Sequence, residues 1–279
     1  MSTTIAGRPV NRIGYGAMHL SRLDQQDAVA FLRHVVARGI NHIDTAEFYE
    51  TSNAVIREAL HPYPDDLVLV TKVGAVRDGD SLVTAQRPEQ LRASVEANLA
   101  TLGADQVAVV YLRRADMLPG ILAEGDQRVD IDSQLAELVA LRDAGKIGGI
   151  GLSHVSPEQL TAALPAGIVC VQNAHSLLDR TSEPVLEVCR ANDVPWVPFF
   201  SLGSAFPGFP KVAEHPTVVE IAKSLGAAPA TVGLAWQLTH YAHTLPIPGT
   251  TDRGHLDDNL AADELHLDPA TMALLDGLA

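Results

Sequence analysis

Four side chains in this sequence have types and spacings suited to moving a proton. Asp44 lies near the end of the run "INHIDTA", Lys72 lies within "LVLVTKV", Arg113 ends "VAVVYLR", and Tyr49 follows Asp44 by five residues. A lysine inside an apolar run is costly to bury unless a carboxylate neutralises it, and Asp44 in the preceding run is the natural partner. A phenol, with a reference pKa of about 10, holds its proton at neutral pH, but a nearby ammonium favours the phenolate and makes the group usable as acid or base. Asp44, Lys72 and Tyr49 therefore read as a proton-transfer group; the alternative is an ion pair with a purely structural role. Arg113 is different in kind, because a guanidinium has donors only and stays protonated. It cannot accept a proton, but it can hold a substrate oxygen, stabilise negative charge as it develops, or favour the Tyr49 phenolate. Its alternative is to turn away and pair with an acidic neighbour such as Asp116.

These residues need a scaffold that brings strand ends together. Eight short apolar runs alternate with helical patterns: "RIGYGAM", "INHIDTA", "LVLVTKV", "VAVVYLR", "IGGIGLS", "IVCVQNA", "WVPFFSL" and "TLPIPG". Between them, Val29, Leu32, Val35 and Val36 share one helical face, as do Leu91, Val95 and Leu99 ahead of Gly103. "SPEQ" is a capping-box pattern with Ser156 as N-cap, Asp268 and Pro269 open another helix, and Gly145 and Gly226 stand where helices end. Strands apolar on both faces need cover on both, and eight of them close a ring. The expected fold is α/β, a (β/α)8 TIM barrel, with residues 1–279 as one domain. Chemistry in that fold sits at the C-terminal ends of the strands, where the four polar residues fall. No glycine pattern has the G-x-G-x-x-G spacing of a dinucleotide-binding turn.

Composition narrows the classes further. A formal charge of −14 argues against broad nucleic-acid binding. No apolar run is long enough for a membrane span, and the N-terminal stretch has no export pattern, so a cytoplasmic protein is expected. Cys170 and Cys189 lack metal or redox spacing and read as reduced thiols. His240 and His243 in "THYAHT" lack a clear third ligand, so no metal site is expected. Oligomeric state is not legible from these features.

Taken together, "NRIGYGAM", "INHIDTAEFY", "LVLVTKVG", "GKIGGIGLSH", "VCVQN", "VPFFSLGS" and "IPGTTDRGHLDDNLAA" resemble the aldo-keto reductases over nearly the whole chain. The resemblance implies a barrel that binds a nicotinamide cofactor, usually NADPH, and reduces a small-molecule aldehyde or ketone to an alcohol by hydride transfer. It maps the catalytic positions onto Asp44, Tyr49 and Lys72, with Tyr49 as proton donor. The family's strand-four histidine is Arg113 here, a change shared with the bacterial branch that includes pyridoxal reductase. The nicotinamide contacts map to Ser153, His154 (where the family has asparagine) and Gln172, and the stacking ring to Phe199, followed by Leu202 and Gly203. The adenosine end maps to Gly249, Thr250, Arg253, His255 and Asn259, with Gly249 where lysine is common and His255 where arginine is common. Thr250, Arg253 and His255 are the expected partners of a 2′-phosphate. The loops "RRADMLPGILAEGDQRVDID" and "SAFPGFPKVAEHP" are expected to line the pocket, with Arg114, Arg128 and Lys211 either attracting an anionic substrate or facing water. Two other readings stand beside this one: a nicotinamide-binding regulatory protein with little turnover, and a reductase of imines.

Overall fold

The computed structural model describes residues 3–204 and 209–279. A parallel sheet of six strands forms most of the barrel wall, in the spatial order β10 (Ile168–Gln172), β9 (Ile147–Ser153), β8 (Val107–Arg113), β5 (Val68–Val73), β4 (His42–Asp44), β3 (Tyr15–Gly16). Two further staves complete the ring without forming regular strands. Trp196 bridges to Val171 on one side and Thr244 on the other, and the Gly14 N–H donates to the Pro246 carbonyl at 2.9 Å. These correspond to the runs "WVPFFSL" and "TLPIPG". Their prolines, Pro198, Pro246 and Pro248, have no N–H to give a ladder, which explains why bridges replace strands there. The (β/α)8 expectation is met.

Helices α1 (Gln25–Ala37), α2 (Ser52–Leu60), α3 (Pro88–Leu102), α4 (Ile131–Asp143), α5 (Pro157–Ala163), α6 (Glu183–Ala191), α7 (Pro216–Leu225) and α8 (Pro229–His240) surround the wall, followed by α9 (Arg253–Leu260) and α10 (Pro269–Asp276). Their ends follow the sequence signals. Ser156 and Gln159 exchange hydrogen bonds as a capping box, Asp268 accepts from the Thr271 N–H, and Gly103 ends α3 in the left-handed region. No single helix among the described residues is long and apolar enough to cross a membrane. Two hairpins are additions to the expected plan. β1 (Thr3–Ile5) and β2 (Arg8–Val10) insert the fully buried Ile5 among barrel-interior residues, while β6 (Ala75–Asp78) and β7 (Ser81–Thr84) extend the loop after β5.

Strand alternation decides what faces inward. On β5, Val68 and Val70 join the barrel interior while Leu69 and Val73 pack under the helices, so Lys72 shares the inward set. On β8, Val109 and Tyr111 point in and Val110 and Leu112 point out, which carries Arg113 to the inner rim. Gly151 on β9 makes room for the Tyr111 ring: a Cβ there would lie 2.5 Å from a ring carbon. Gly151→Ala is therefore expected to overpack the interior and cost about 1–3 kcal/mol, read as a lower urea midpoint with an unchanged m value.

Candidate active site

Among the described residues, the barrel interior below the rim carries no charge. His42, two residues before Asp44 and fully buried, has its pKa pulled down to about 4, mainly by burial. Burial also pushes the Cys170 thiol up to about 12 and the Tyr111 phenol well above its ordinary value, and Cys170 donates to the Tyr111 oxygen at 3.1 Å. The first charges met on rising through the barrel are therefore Asp44 and Lys72, which are 2% and 5% exposed. They form a direct ion pair between Nζ and Oδ1, and Nζ also donates to the Thr45 carbonyl at 3.2 Å. Burial alone would lower the lysine pKa, but Asp44 and then Tyr49 outweigh it and hold the ammonium above its ordinary value. The second Asp44 oxygen accepts from Gln172 Nε2 at 2.9 Å.

Tyr49 closes over this pair, with Lys72 Nζ 4.9 Å from the centroid of its ring. The electrostatics differ from the sequence expectation in one respect. Burial raises the Tyr49 pKa, and this outweighs the opposing effects of Lys72 and Arg113. Tyr49 is thus a protonated phenol in this state rather than a phenolate, which suits a proton donor. Beside it stand Phe48, Ala46 and Ala75, with Leu82 and Ile121 packed against them. That apolar wall uses the β6–β7 hairpin, which the plan of eight alternating runs does not include although "DGD" is a turn signal for it.

Arg113 does not pair with Asp116. The neighbouring Arg114 does, through Nε to Oδ2 at 2.7 Å, and Arg114 also donates to the Val129 carbonyl and to Gln134. Arg114 is buried structural charge, Lys211 pairs with Glu214 at 2.9 Å, and Arg128 donates to the Ala123 carbonyl. Arg113 Nη1, in contrast, is buried with no hydrogen-bond partner among the described residues, and burial lowers the guanidinium pKa against the opposing pull of Tyr49. The loop after β8 folds back over it at Gly120. In the other loop expected to line the pocket, residues 205–208 lie outside the described residues.

The positions expected to hold a nicotinamide occupy adjacent staves. Ser153 ends β9 and is buried, and Gln172 ends β10 with its Oε1 buried and unpartnered. An unpaired amide oxygen of this kind is costly to leave without a donor, and a carboxamide N–H₂ would satisfy it. His154 sits in the left-handed region at φ +60°, and its Nε2 lies 2.9 Å from the Met117 carbonyl. One ring nitrogen is thus committed to the loop over Arg113, leaving Nδ1 for any further contact. Phe199 bridges Ala174 and lies edge-on to Phe200 at 4.9 Å. Leu202 gives its carbonyl to the Val212 N–H, and Gly203, at φ +87°, has the Pro210 carbonyl so close that a Cβ would reach 2.1 Å from it. Only glycine fits there.

The remaining positions lie at the end of stave eight. Gly249 packs on β3, where a Cβ would come 2.9 Å from the Gly16 oxygen, so its small size serves barrel closure. Thr250 is buried, with its hydroxyl accepting from the Asp252 N–H at 3.1 Å. Asp252 caps α9 by accepting from the His255 N–H at 2.9 Å, Arg253 and His255 are exposed, and Asn259 is buried one turn further on. The acidic cap was missed in the sequence, although an aspartate just before a helix is an N-cap signal.

The family model for the aldo/keto reductase family matches residues 12–279. Pyridoxine 4-dehydrogenase from Escherichia coli is 39% identical, covering 99% of this chain and 97% of that one. An uncharacterized oxidoreductase from Schizosaccharomyces pombe is 32% identical over 96% and 86% of the two chains. Among solved structures, a thermostable aldo-keto reductase in complex with the inhibitor epalrestat superimposes with a TM-score of 0.84 at 25% identity, over all of both chains. An aldo-keto reductase from Klebsiella pneumoniae in complex with NADPH has the same fold, with a TM-score of 0.82 at 24% identity over 100% and 95%. The chain belongs to the aldo/keto reductase family of oxidoreductases.

Proposed function

We propose that this oxidoreductase reduces an aldehyde to an alcohol with NADPH, that Tyr49 donates the proton, that Arg113 holds the carbonyl oxygen, and that pyridoxal is a substrate. The observation that carries the reading is the Lys72 ammonium, gripped by Asp44 and set 4.9 Å from the Tyr49 ring centroid. When bound, NADPH supplies the hydride. As hydride reaches the carbonyl carbon, negative charge grows on the oxygen, and the protein's part is to meet that charge and protonate it. Tyr49 holds the proton at neutral pH, and Lys72 stabilises the phenolate left after transfer. Asp44 keeps Lys72 protonated and in place, while Gln172 orients Asp44 and offers its free oxygen to the carboxamide. The unpartnered Nη1 of Arg113 supplies a donor to the substrate oxygen without competing for the proton. Pyridoxal enters because the Escherichia coli relative is named for the alcohol of that pair.

The test is a fluorescence titration with NADPH and NADH, followed by NADPH oxidation with pyridoxal and a panel of simple aldehydes and imines. Tyr49→Phe is expected to bind NADPH as the wild type does and to lose at least about a hundredfold in kcat, the scale of a lost general acid. Binding without turnover in the wild type would instead indicate a regulatory nicotinamide binder.

The pH profile separates the roles around Tyr49. Reduction needs the phenol protonated, so its rate falls as pH rises through the Tyr49 pKa. Arg113 lowers that pKa, so Arg113→Gln is expected to move the falling limb to higher pH and also to reduce kcat on the plateau below it; an arginine without a role at the oxygen would move the limb and leave the plateau kcat unchanged.

At the adenosine end, Asp252 sets a carboxylate beside the residues proposed to bind the 2′-phosphate. Asp252→Ser keeps the cap and removes the charge, and is expected to raise NADPH affinity relative to NADH by up to about fivefold, the range of one exposed charge interaction. Competitive titrations of the two nucleotides measure it.

A further inference from the structure

His175, Glu183 and His240 each place a potential ligand atom within 4.8 Å of the other two. They come from the loop after β10, the first residue of α6 and the last residue of α8. The sequence neighbour of His240 with metal-like spacing, His243, is not in the group. Glu183 lies between the two imidazoles, with Oε2 2.9 Å from His175 Nε2 and Oε1 2.6 Å from His240 Nε2.

The rings are held by their surroundings. His175, 2% exposed, stacks on Trp236 with centroids 5.8 Å apart and meets Trp196 edge-on, and Trp236 also stacks on His240 at 4.6 Å. Trp196 belongs to the layer between the barrel wall and the helices, so this group is built into the outer shell of the barrel. His175 Nδ1 is buried with no partner among the described residues, so Glu183 is the hydrogen-bond partner that holds the ring. Burial opposes ionisation of Glu183, but its hydrogen bonds to the two histidines outweigh it and hold the carboxyl well below the usual carboxylate range.

We propose that His175, Glu183 and His240 bind one divalent transition-metal ion, with zinc the best match, through the two Nε2 atoms and a Glu183 oxygen, water completing the shell. Two imidazoles and a carboxylate are a zinc donor set, and the ion takes the place of the proton that each Nε2 directs at Glu183, as metal binding displaces protons from its ligands. Bonds of about 2.1 Å in a tetrahedron separate ligand atoms by roughly 3.4 Å. The Glu183 oxygens lie 2.9 Å from His175 Nε2 and 2.6 Å from His240 Nε2, and one ligand atom from each residue lies within 4.8 Å of the other two, so no pair has to change its separation by more than about 1.4 Å to reach that geometry. Glu183 and His240 side chains are 28% and 20% exposed, which gives the ion a path in and leaves room for water. The ion would fasten α6 and α8 to the loop whose His175 N–H donates to the Phe199 carbonyl at 3.2 Å.

The experiment is calorimetric titration of zinc chloride into chelator-dialysed, full-length protein at neutral pH, with cobalt(II) absorption as the spectroscopic check. The expected result is one zinc per chain, a cobalt spectrum of four-coordinate type, and affinity reduced at least about tenfold in both His240→Ala and Glu183→Gln, since losing even an outer partner of a ligand costs that much. His243→Ala is the control and is expected to bind as the wild type does. Circular dichroism and an NADPH titration establish that each variant is folded, and the wild-type stoichiometry decides the matter if one of them is not. Absence of saturable zinc binding by the wild type, or zinc binding unchanged in folded His240→Ala and Glu183→Gln, would overturn the proposal and leave the three residues as a hydrogen-bonded clasp.

Discussion

The buried pair of Asp44 and Lys72 is the constraint on which the rest of the site depends. Two opposite charges at the top of an apolar interior are tolerable only in contact with each other and with every spare hydrogen-bonding position filled. The protein meets this with the Thr45 carbonyl on one side and Gln172 on the other. Adjacent parallel strands bring the two residues side by side, since β4 pairs with β5. Removing either charge would leave the other unpaired in a region where His42, Tyr111 and Cys170 carry none. The same neutrality strengthens the field that the pair exerts on Tyr49, because nothing beneath screens it.

Much of this was legible before the structure. Strand runs, helix caps and the four polar strand-end residues depend on local spacing, and local spacing survives folding. Six of the eight runs became strands in one sheet. The last two form only bridges, because prolines break the ladder without changing the path of the chain. What the sequence could not show was competition between opposing effects. The ammonium beside Tyr49 was readable, but the depth of burial that outweighs it was not. Arg113 and Arg114 are neighbours in sequence, and only strand alternation and the course of the next loop send one to Asp116 and leave the other with a free donor. His175, Glu183 and His240 are separated by 8 and 57 positions, so no motif scan would join them.

His154 shows how one substitution is absorbed. The position has a left-handed backbone, which asparagine and histidine both accept more readily than most residues. Histidine takes it here while its Nε2 meets the Met117 carbonyl, so a residue at the end of β9 is tied to the loop that covers Arg113. That bond couples two parts of the site contributed by neighbouring strands.

The proline-bearing staves give the barrel an uneven stiffness. The wall that carries Asp44, Lys72 and Arg113 is cross-linked by continuous ladders between β4, β5 and β8. The stave that carries Phe199 is bonded to β10 and the residues after it through Val171, Asn173 and His175, but among the described residues its backbone joins the stave that carries Thr250 only through Trp196, whose N–H and carbonyl bond to His243 and Leu245. A dinucleotide is a long, jointed ligand, and a barrel with one seam of sparse backbone bonding can yield along that seam while the opposite wall keeps its register. In mechanical terms the molecule resembles a clamp with one fixed jaw and one sprung jaw, and the groups proposed to handle the proton are on the fixed one.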